Sequence, residues 1–174
     1  MAVIVQHIAV DVLCNIVSFS RFCELIHEFD LVDSLSPNPD ESLTVFAPVN
    51  DAFEVLAGIQ EFDFSSLTPK QSAYVLSYHV ISTKTDPFTY ANLECGSTTR
   101  TINGESTRTK CSDADEKFQT GPKQMDGKIP KIILPNINVC NGVIHAVDNV
   151  LLPNLDKMRD YWSPSTKETN KIRQ

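Results

Sequence analysis

The sequence predicts an α+β domain with a largely antiparallel, sandwich-like sheet. A helical pattern of apolar residues comes early, between residues 11 and 29, and a strong helix start follows at residue 68, whereas strand patterns dominate beyond residue 80. Separation of helices from strands along the chain is typical of α+β folds. A chain of 174 residues with 41% hydrophobic residues can bury one sizeable core. One domain is therefore expected.

The net charge and the distribution of apolar residues limit the partners that this chain is expected to have. The formal net charge of -7 disfavours nonspecific contact with nucleic acid or anionic lipid, because both would be repelled. The most apolar stretch, residues 2 to 19, contains four polar interruptions, so no segment is expected to span a membrane. The same stretch lacks the basic start and the cleavage site of a secretory signal, and it is interpreted as domain sequence.

The region from Asp11 to Phe29 is predicted to be helical. Its apolar side chains recur on one face, at Phe22, Leu25 and Ile26, with a break expected, if anywhere, at residues 18 to 20. On one continuous helix, nine residues at a rise of ~1.5 Å would hold Cys14 and Cys23 apart on opposite faces. These two cysteines are then expected to be buried thiols.

The next elements are a strand and two helices. After a polar loop at residues 34 to 42, residues 43 to 47 are predicted to be a buried strand that Pro48 ends. Asn50 is predicted to cap a short helix that runs through Leu56, with Gly58 at its end. Thr68-Pro69-Lys70-Gln71 is a capping box with proline at the first helical position, and it predicts a helix toward Tyr78.

A hairpin is predicted around Asn103-Gly104, which lies between two Thr-rich arms. With a three-residue loop centred on Asn103, residues whose numbers sum to 206 lie opposite each other, and Cys95 and Cys111 satisfy that sum. We expect a disulfide between them, with Cys140 as the rival partner for either. The five cysteines include no CxxC pair and no histidine at metal-ligand spacing, so no metal site is expected.

Further strands are predicted at residues 80 to 82, 117 to 119, 131 to 134 and 143 to 152. The last has mostly apolar residues at both odd and even positions, so both of its faces should be covered. His145 and Asp148 are therefore expected to be buried polar groups with hydrogen-bond partners. Asn141-Gly142 supplies the turn that enters this strand.

Two segments of the sequence resemble conserved segments of a known domain family. TVFAPVNDAF at residues 44 to 53 and NGVIHAVDNVLLP at residues 141 to 153, with Tyr78-His79 between them, resemble the two conserved boxes of the fasciclin (FAS1, beta-Ig-H3) family of extracellular adhesion domains. The residues that carry the match are Thr44, Phe46, Pro48, Asn50, Phe53, Asn141, Gly142, His145, Asp148 and Pro153. The resemblance covers about residues 10 to 155, which leaves residues 1 to 9 as an extension and residues 156 to 174 as a polar tail or linker.

The resemblance implies a wedge of strands with several helices packed on it, and a secreted or surface-tethered adhesion module. Tyr78 and His79, followed by Val80 and Ile81, match the family's Tyr-His adhesion motif, and Asn136-Ile137 stands where the family often has Asp-Ile. Both sets are contact candidates, although the two rings can also be interpreted as filling the edge of the core. The missing carboxylate at Asn136 and the absence of an RGD tripeptide argue against integrin binding.

The leading hypothesis is therefore adhesion, by binding to matrix proteins, glycans or copies of the chain itself. Any membrane contact would be peripheral, through a separate anchor. The alternative is a soluble carrier with a small ligand or lipid in a cleft between helices and sheet. Catalysis and cofactors are not expected, because no GxSxG, phosphate-loop or HExxH pattern occurs. Asp113, Asp115 and Glu116 are interpreted as a solvated loop rather than a calcium site.

Overall fold

A computed structural model describes residues 8–58, 64–124, 127–154 and 156–157. The helices are α1 (Ala9–Asn15), α2 (Ser20–Glu28), α3 (Asn50–Ala57) and α4 (Pro69–Ser77), and the strands are β1 (Ser42–Pro48), β2 (Val80–Thr83), β3 (Thr98–Arg100), β4 (Ser106–Cys111), β5 (Lys117–Thr120), β6 (Ile132–Val139) and β7 (Gly142–Val147). Nearly all of the predicted extension and tail lie outside the described residues. Within those residues, the helices are too short and too polar for any of them to span a bilayer.

The strands form two sheets. The larger has the order β2-β1-β7-β6, and the smaller has the order β3-β4-β5. All neighbouring strands are antiparallel except β1 and β7, which run parallel from the pair Leu43 and Gly142 to the pair Pro48 and Val147. A single bridge between Phe118 and Lys131 connects the two sheets. The predicted α+β class is confirmed.

Strand β1 divides the core, because both of its faces are buried. Leu43, Val45 and Ala47 pack with α1 and α2 on one side, whereas Phe46 packs with Tyr78 and other apolar residues on the opposite side. Each large apolar side chain buried in this way contributes about 1.5–3 kcal/mol. The mostly apolar pattern of residues 43 to 47, with Thr44 as its one polar residue, is therefore that of a central strand.

The N-terminal helical region is broken, which corrects the cysteine prediction. Helix α1 ends at Asn15, Ile16 is extended (φ -96°, ψ 115°), and a 3-10 turn at Val17–Phe19 leads into α2. The break folds the chain back so that the Cα atoms of Cys14 and Cys23 lie 5.1 Å apart, and the two form a disulfide. The prediction of two buried thiols was wrong because it assumed one continuous helix.

The hairpin prediction is confirmed residue by residue. Thr98 pairs with Arg108 and Arg100 pairs with Ser106, so each pair sums to 206 as expected. Cys95 and Cys111 form a disulfide with their Cα atoms 5.6 Å apart. Cys140, the rival partner, is a free and exposed cysteine.

The two predicted caps had different outcomes. Thr68 caps α4 with the full capping box, in which its Oγ1 accepts from the Gln71 N–H and the Gln71 side chain accepts from the Thr68 N–H. Asn50 does not cap its own helix. Its Oδ1 accepts from the Arg21 N–H at 3.0 Å and its Nδ2 donates to the Val17 carbonyl at 3.0 Å, so it caps the start of α2 from across the fold.

The last two strands differ from their predicted bounds. Strand β7 ends at Val147 rather than at residue 152, and β6 extends to Val139 rather than ending at residue 134. Strand β6 contains Pro135 and two register shifts against β7. An irregular edge strand with proline carries weak sequence signals, which is why its second half was not predicted.

Replacing both Cys14 and Cys23 with serine should lower the free energy of unfolding by about 2–3 kcal/mol, because the unfolded chain regains the freedom of a short loop. Urea denaturation measures this loss. Cys95→Ser with Cys111→Ser should cost slightly more, since its separation is 16 residues rather than 9. Cys140→Ser should leave the midpoint unchanged, and an unchanged midpoint in the first variant would contradict a formed Cys14–Cys23 bond.

Candidate functional site

The two resembling segments lie side by side in the sheet, because β1 and β7 pair in parallel. The Tyr-His pair comes at the end of α4, immediately before β2, which pairs with the other edge of β1. Residues from three distant parts of the sequence are thus brought to one place. We call this place the motif core, defined by Thr44, Phe46, Tyr78, His79 and His145.

His79 is fully buried and bonded at both ring nitrogens. Its Nδ1 donates to the Val75 carbonyl at 2.9 Å, and its Nε2 accepts from the Leu151 N–H at 2.9 Å. These partners fix the neutral tautomer with the proton on Nδ1. Burial lowers the pKa of His79 to about 4, against a smaller opposing effect of the hydrogen bonds with the backbone of Val75 and Leu76. The ring is therefore a neutral connection between α4 and the chain that follows β7.

Tyr78 is also fully buried, and its hydroxyl donates to the Ser106 carbonyl at 2.7 Å. This bond ties the end of α4 to the start of β4, which belongs to the smaller sheet. Burial, with a smaller contribution from the nearby Glu105 carboxylate, raises the pKa of Tyr78. The phenol stays protonated and acts as a hydrogen-bond donor inside the fold.

His145 repeats the arrangement on β7. Its Nδ1 accepts from the Asn136 N–H at 3.2 Å, and its Nε2 donates to the Phe88 carbonyl at 2.7 Å. The ring stacks on Phe46, with centroids 5.7 Å apart and an interplanar angle of 23°. Burial lowers the pKa of His145, so this histidine is also neutral. Thr44 holds the same segment, since its Oγ1 accepts from the Phe88 N–H at 2.8 Å.

The contact candidates differ in exposure. Tyr78, His79, Val80 and Ile81 are buried in the folded domain, so their side chains do not form a surface. Asn136 is exposed, with φ at 60°, and its Oδ1 accepts from the Tyr90 N–H at 2.8 Å. A left-handed conformation is tolerated better by asparagine than by most residues. Ile137 packs against the core.

Asn141 and Gly142 hold together four separate segments. The Asn141 side chain accepts from the Ala9 N–H at 3.0 Å and donates to the Leu35 carbonyl at 2.9 Å, and its carbonyl accepts from the Leu43 N–H at 2.8 Å. A Cβ on Gly142 would lie 1.9 Å from the Leu43 carbonyl oxygen, and φ at this residue is 151°. The turn therefore requires glycine. The asparagine before it connects this turn between β6 and β7 to three other segments, namely α1, the loop before β1, and β1.

The remaining residues of the two segments are structural as well. The Asp148 carboxylate is half-buried, and its Oδ1 accepts from the Lys131 N–H at 2.8 Å and from the Asn149 side chain at 3.0 Å. Pro48 and Pro153 are buried, and Phe53 packs against the core with its ring centroid 6.2 Å from that of Phe64. The expectation that His145 and Asp148 have hydrogen-bond partners is confirmed.

Sequence reasoning missed the buried Lys117. Its Nζ donates to the Leu93 carbonyl at 2.9 Å and to the Tyr90 carbonyl, and lies 4.9 Å from the centroid of the Tyr90 ring. Its partners come from a loop some 25 residues earlier, which no local pattern points to. A buried ammonium group bonded to carbonyls is a structural connection between β5 and this loop.

Some potential metal ligands within the described segments already take part in other bonds. Cys14, Cys23 and His27 form one group with metal-ligating atoms close together, but the two sulfurs form the disulfide. Glu116, from the acidic loop, pairs with the Lys131 ammonium at 2.5 Å. A cleft of about 460 Å³ opens between the loop around Pro37 and the turn at Cys140.

Comparison with known proteins agrees with this arrangement. The Fasciclin domain model matches residues 17–153. The chain belongs to the Fasciclin domain family. The solved FAS1 domain pair of the insect cell adhesion molecule Fasciclin I has the same fold, with a TM-score of 0.65 and 18% identity over 86% of this chain and 52% of that one.

Relatives span bacteria and animals. Protein sll1483 of Synechocystis is 32% identical over 148 residues, covering 83% of this chain and 72% of that protein, and the uncharacterized protein sll1735 of the same organism is 34% identical over 135 residues, covering 77% and 89%. Human periostin is 29% identical over 135 residues, which cover 74% of this chain and 14% of periostin.

Acidification should destabilise the fold through His79. The folded pKa of about 4 lies below the ordinary value of 6.5, so the unfolded chain binds the extra proton between those values. Stability from this residue is complete above pH 6.5 and falls by up to about 1.4 kcal/mol per pH unit as the pH drops toward 4.

Urea denaturation of the wild type and of His79→Gln at several pH values between 4 and 7 measures this slope. The variant should be less stable at pH 7 and less dependent on pH, with His145, whose pKa is also lowered by burial, contributing to the slope that remains. Equal slopes in both proteins would contradict a neutral, buried His79.

Gly142→Ala should lower the free energy of unfolding by at least about 2 kcal/mol, because strain at this φ adds to a clash with the β1 backbone. Gly96→Ala is a matched control, since Gly96 also has positive φ but would have open space around a Cβ. Thermal or urea unfolding compares the two. Equal losses of unfolding free energy in the two variants would show that the close approach of residue 142 to Leu43 adds no cost of its own.

Proposed function

We propose that this chain is an extracellular adhesion module that attaches cells to matrix or to other surfaces, without catalysis. In this role it binds matrix proteins, glycans or other copies of itself. Membership in the Fasciclin domain family supports this, together with the solved structure of a cell adhesion molecule that has the same fold. Two disulfides support a secreted or cell-surface location, because such bonds persist in oxidising compartments.

The observation that carries the proposal is that the motif core is fully engaged in holding the fold. Both nitrogens of His79 and of His145 are bonded within the chain, so neither ring offers a free base or metal ligand in this conformation. A rigid scaffold of this kind is suited to presenting surfaces and loops. In this proposal Tyr78, His79, Val80 and Ile81 contribute to adhesion by holding that scaffold, and Asn136 can contact a partner.

One exposed surface for contact is the edge of the larger sheet. On β6 the side chains of Ile133 and Leu134 are 48% and 55% exposed. Pro135 has no N–H to offer a further strand, and the register shifts bend this edge. A partner would therefore bind these side chains rather than extend the sheet.

A second candidate, a carrier of a small ligand or lipid, would use the cleft near Pro37 and Cys140. Its volume of about 460 Å³ falls within the range of small-molecule sites. Its lining includes the polar residues Asn38, Glu41, Ser42 and Asn141, which suits a lipid poorly. Stabilisation of the chain by defined small molecules in thermal unfolding would favour this candidate.

Self-association is the most direct form of the proposal to test. Sedimentation velocity over a wide concentration range should show a reversible dimer, and the same dimer in Cys140→Ser, which lacks the exposed free thiol. In parallel, the folded chain is applied to immobilised matrix proteins and polysaccharides. The proposal fails if the folded chain associates with none of these and not with itself. A dimer lost in Cys140→Ser would be a disulfide-linked species and no evidence for adhesion.

A further inference from the structure

The smaller sheet has one buried and one exposed face. Along β4, Thr107 and Thr109 are buried, whereas Ser106, Arg108 and Lys110 are exposed. The buried face is hydrogen-bonded internally, since the Gln119 amide joins Thr107 at 3.2 Å and Thr109 at 2.8 Å. The opposite face is open to solvent.

This exposed face carries a concentration of positive charge. Strand pairing places Arg108 opposite Thr98 and Arg100 opposite Ser106, and directly opposed residues point to the same side of a sheet. Lys110 is opposite Phe118, which is in turn opposite Lys131. We call the resulting surface the basic face, defined by Arg100, Arg108, Lys110, Phe118 and Lys131.

Three of the four cations on the basic face are available to bind an anionic ligand. Lys131 pairs with Glu116, but among the described residues Arg100, Arg108 and Lys110 form no ion pair. Arg100 donates its Nε to the Gly104 carbonyl at 2.9 Å, which orients the guanidinium group and leaves its terminal nitrogens out of that bond. The strand residues of this face include no carboxylate. The chain as a whole has a net charge of -7, so this face is a local exception. Its excess of cations is suited to binding an anionic ligand.

The face also has the features of a sugar-binding surface. Phe118 is half-buried between two lysines, and an aromatic ring offers a flat apolar surface on which the C–H face of a sugar can stack. Thr98, Ser106 and Thr120 add hydroxyl groups in the same rows of the sheet. Cations on one strand recur every ~6.8 Å, so a linear chain of separated charges can follow them.

We propose that the basic face binds an acidic polysaccharide, carboxylated or sulfated, through Arg100, Arg108 and Lys110 with a sugar ring on Phe118. This inference rests on the proposed adhesion function and names its partner class and location. A polysaccharide suits the face better than single-stranded nucleic acid, because the basic face as defined contains one aromatic side chain, whereas surfaces that bind single strands stack successive bases on several.

The test measures binding of the whole chain to four immobilised polymers: heparin, polygalacturonate, neutral dextran and single-stranded polythymidylate. Arg100→Gln, Arg108→Gln and Lys110→Gln are combined in one variant. The control combines Arg21→Gln, Lys70→Gln and Lys84→Gln, which remove the same charge from exposed positions on α2, on α4 and after β2. Unfolding midpoints confirm that both variants fold.

The wild type should bind heparin, polygalacturonate or both, and dextran not at all. The basic-face variant should bind at least about eightfold more weakly, since each of the three exposed charge contacts contributes about two- to fivefold. The control should bind within about twofold of the wild type. Binding should also fade in about 1 M salt, where the Debye length is about 3 Å. Phe118→Ala should weaken binding to the acidic polysaccharide without changing the salt dependence.

Other outcomes overturn the inference in distinguishable ways. An equal loss of affinity in the basic-face variant and in the control would show that binding depends on overall charge and not on this face. Stronger binding to polythymidylate than to the acidic polysaccharides would indicate a nucleic-acid surface. A wild type that associates with itself or with matrix proteins, but with neither acidic polymer, would refute this inference and leave the adhesion function standing. Failure to bind any partner would refute both.

Discussion

The parallel pairing of β1 with β7 is the contact on which the rest of the fold depends. It joins segments almost a hundred residues apart, and both strands are buried on both faces. Ordering so much intervening chain is costly in entropy, and the cost is offset only when the apolar residues on both sides of β1 are in place. The motif residues surround this pair: Asn141 and Gly142 start it, His145 lies within it, and His79 bonds to the chain just beyond it.

Buried polar groups, more than apolar ones, decide how the peripheral segments are held. His79, His145, Tyr78 and Lys117 each hydrogen-bond to backbone from a different element. A buried polar group that lost its partner would cost about 1–3 kcal/mol, so each of these side chains selects one arrangement of its loop. Substitution of such residues would therefore reduce any binding activity by disturbing the scaffold, even though their side chains are buried in the folded domain.

The sequence predicts the local features of this fold well and the distant ones poorly. The Thr68 capping box, the strand at residues 43 to 47 and the hairpin with its Cys95–Cys111 bond follow from neighbouring residues, because turn and cap chemistry is local. The roles of Asn50 and Lys117 depend on partners 24 residues or more away. The break at Ile16 was located only approximately, since it is set by packing and by a disulfide rather than by proline or glycine. Family resemblance indicates which residues matter at the motif core, but not that four of the contact candidates are buried.

The two disulfides determine how much of the chain can extend when the domain is pulled from its ends. They enclose only the chain between residues 14 and 23 and between residues 95 and 111. Neither bond spans the distance between β1 and β7, so stretching the domain from its ends is resisted there by hydrogen bonds and side-chain packing alone. Once that pair separates, most of the chain can extend, while the two short loops stay closed. The extended chain would therefore be shorter than its full contour length by the segments that these two loops enclose.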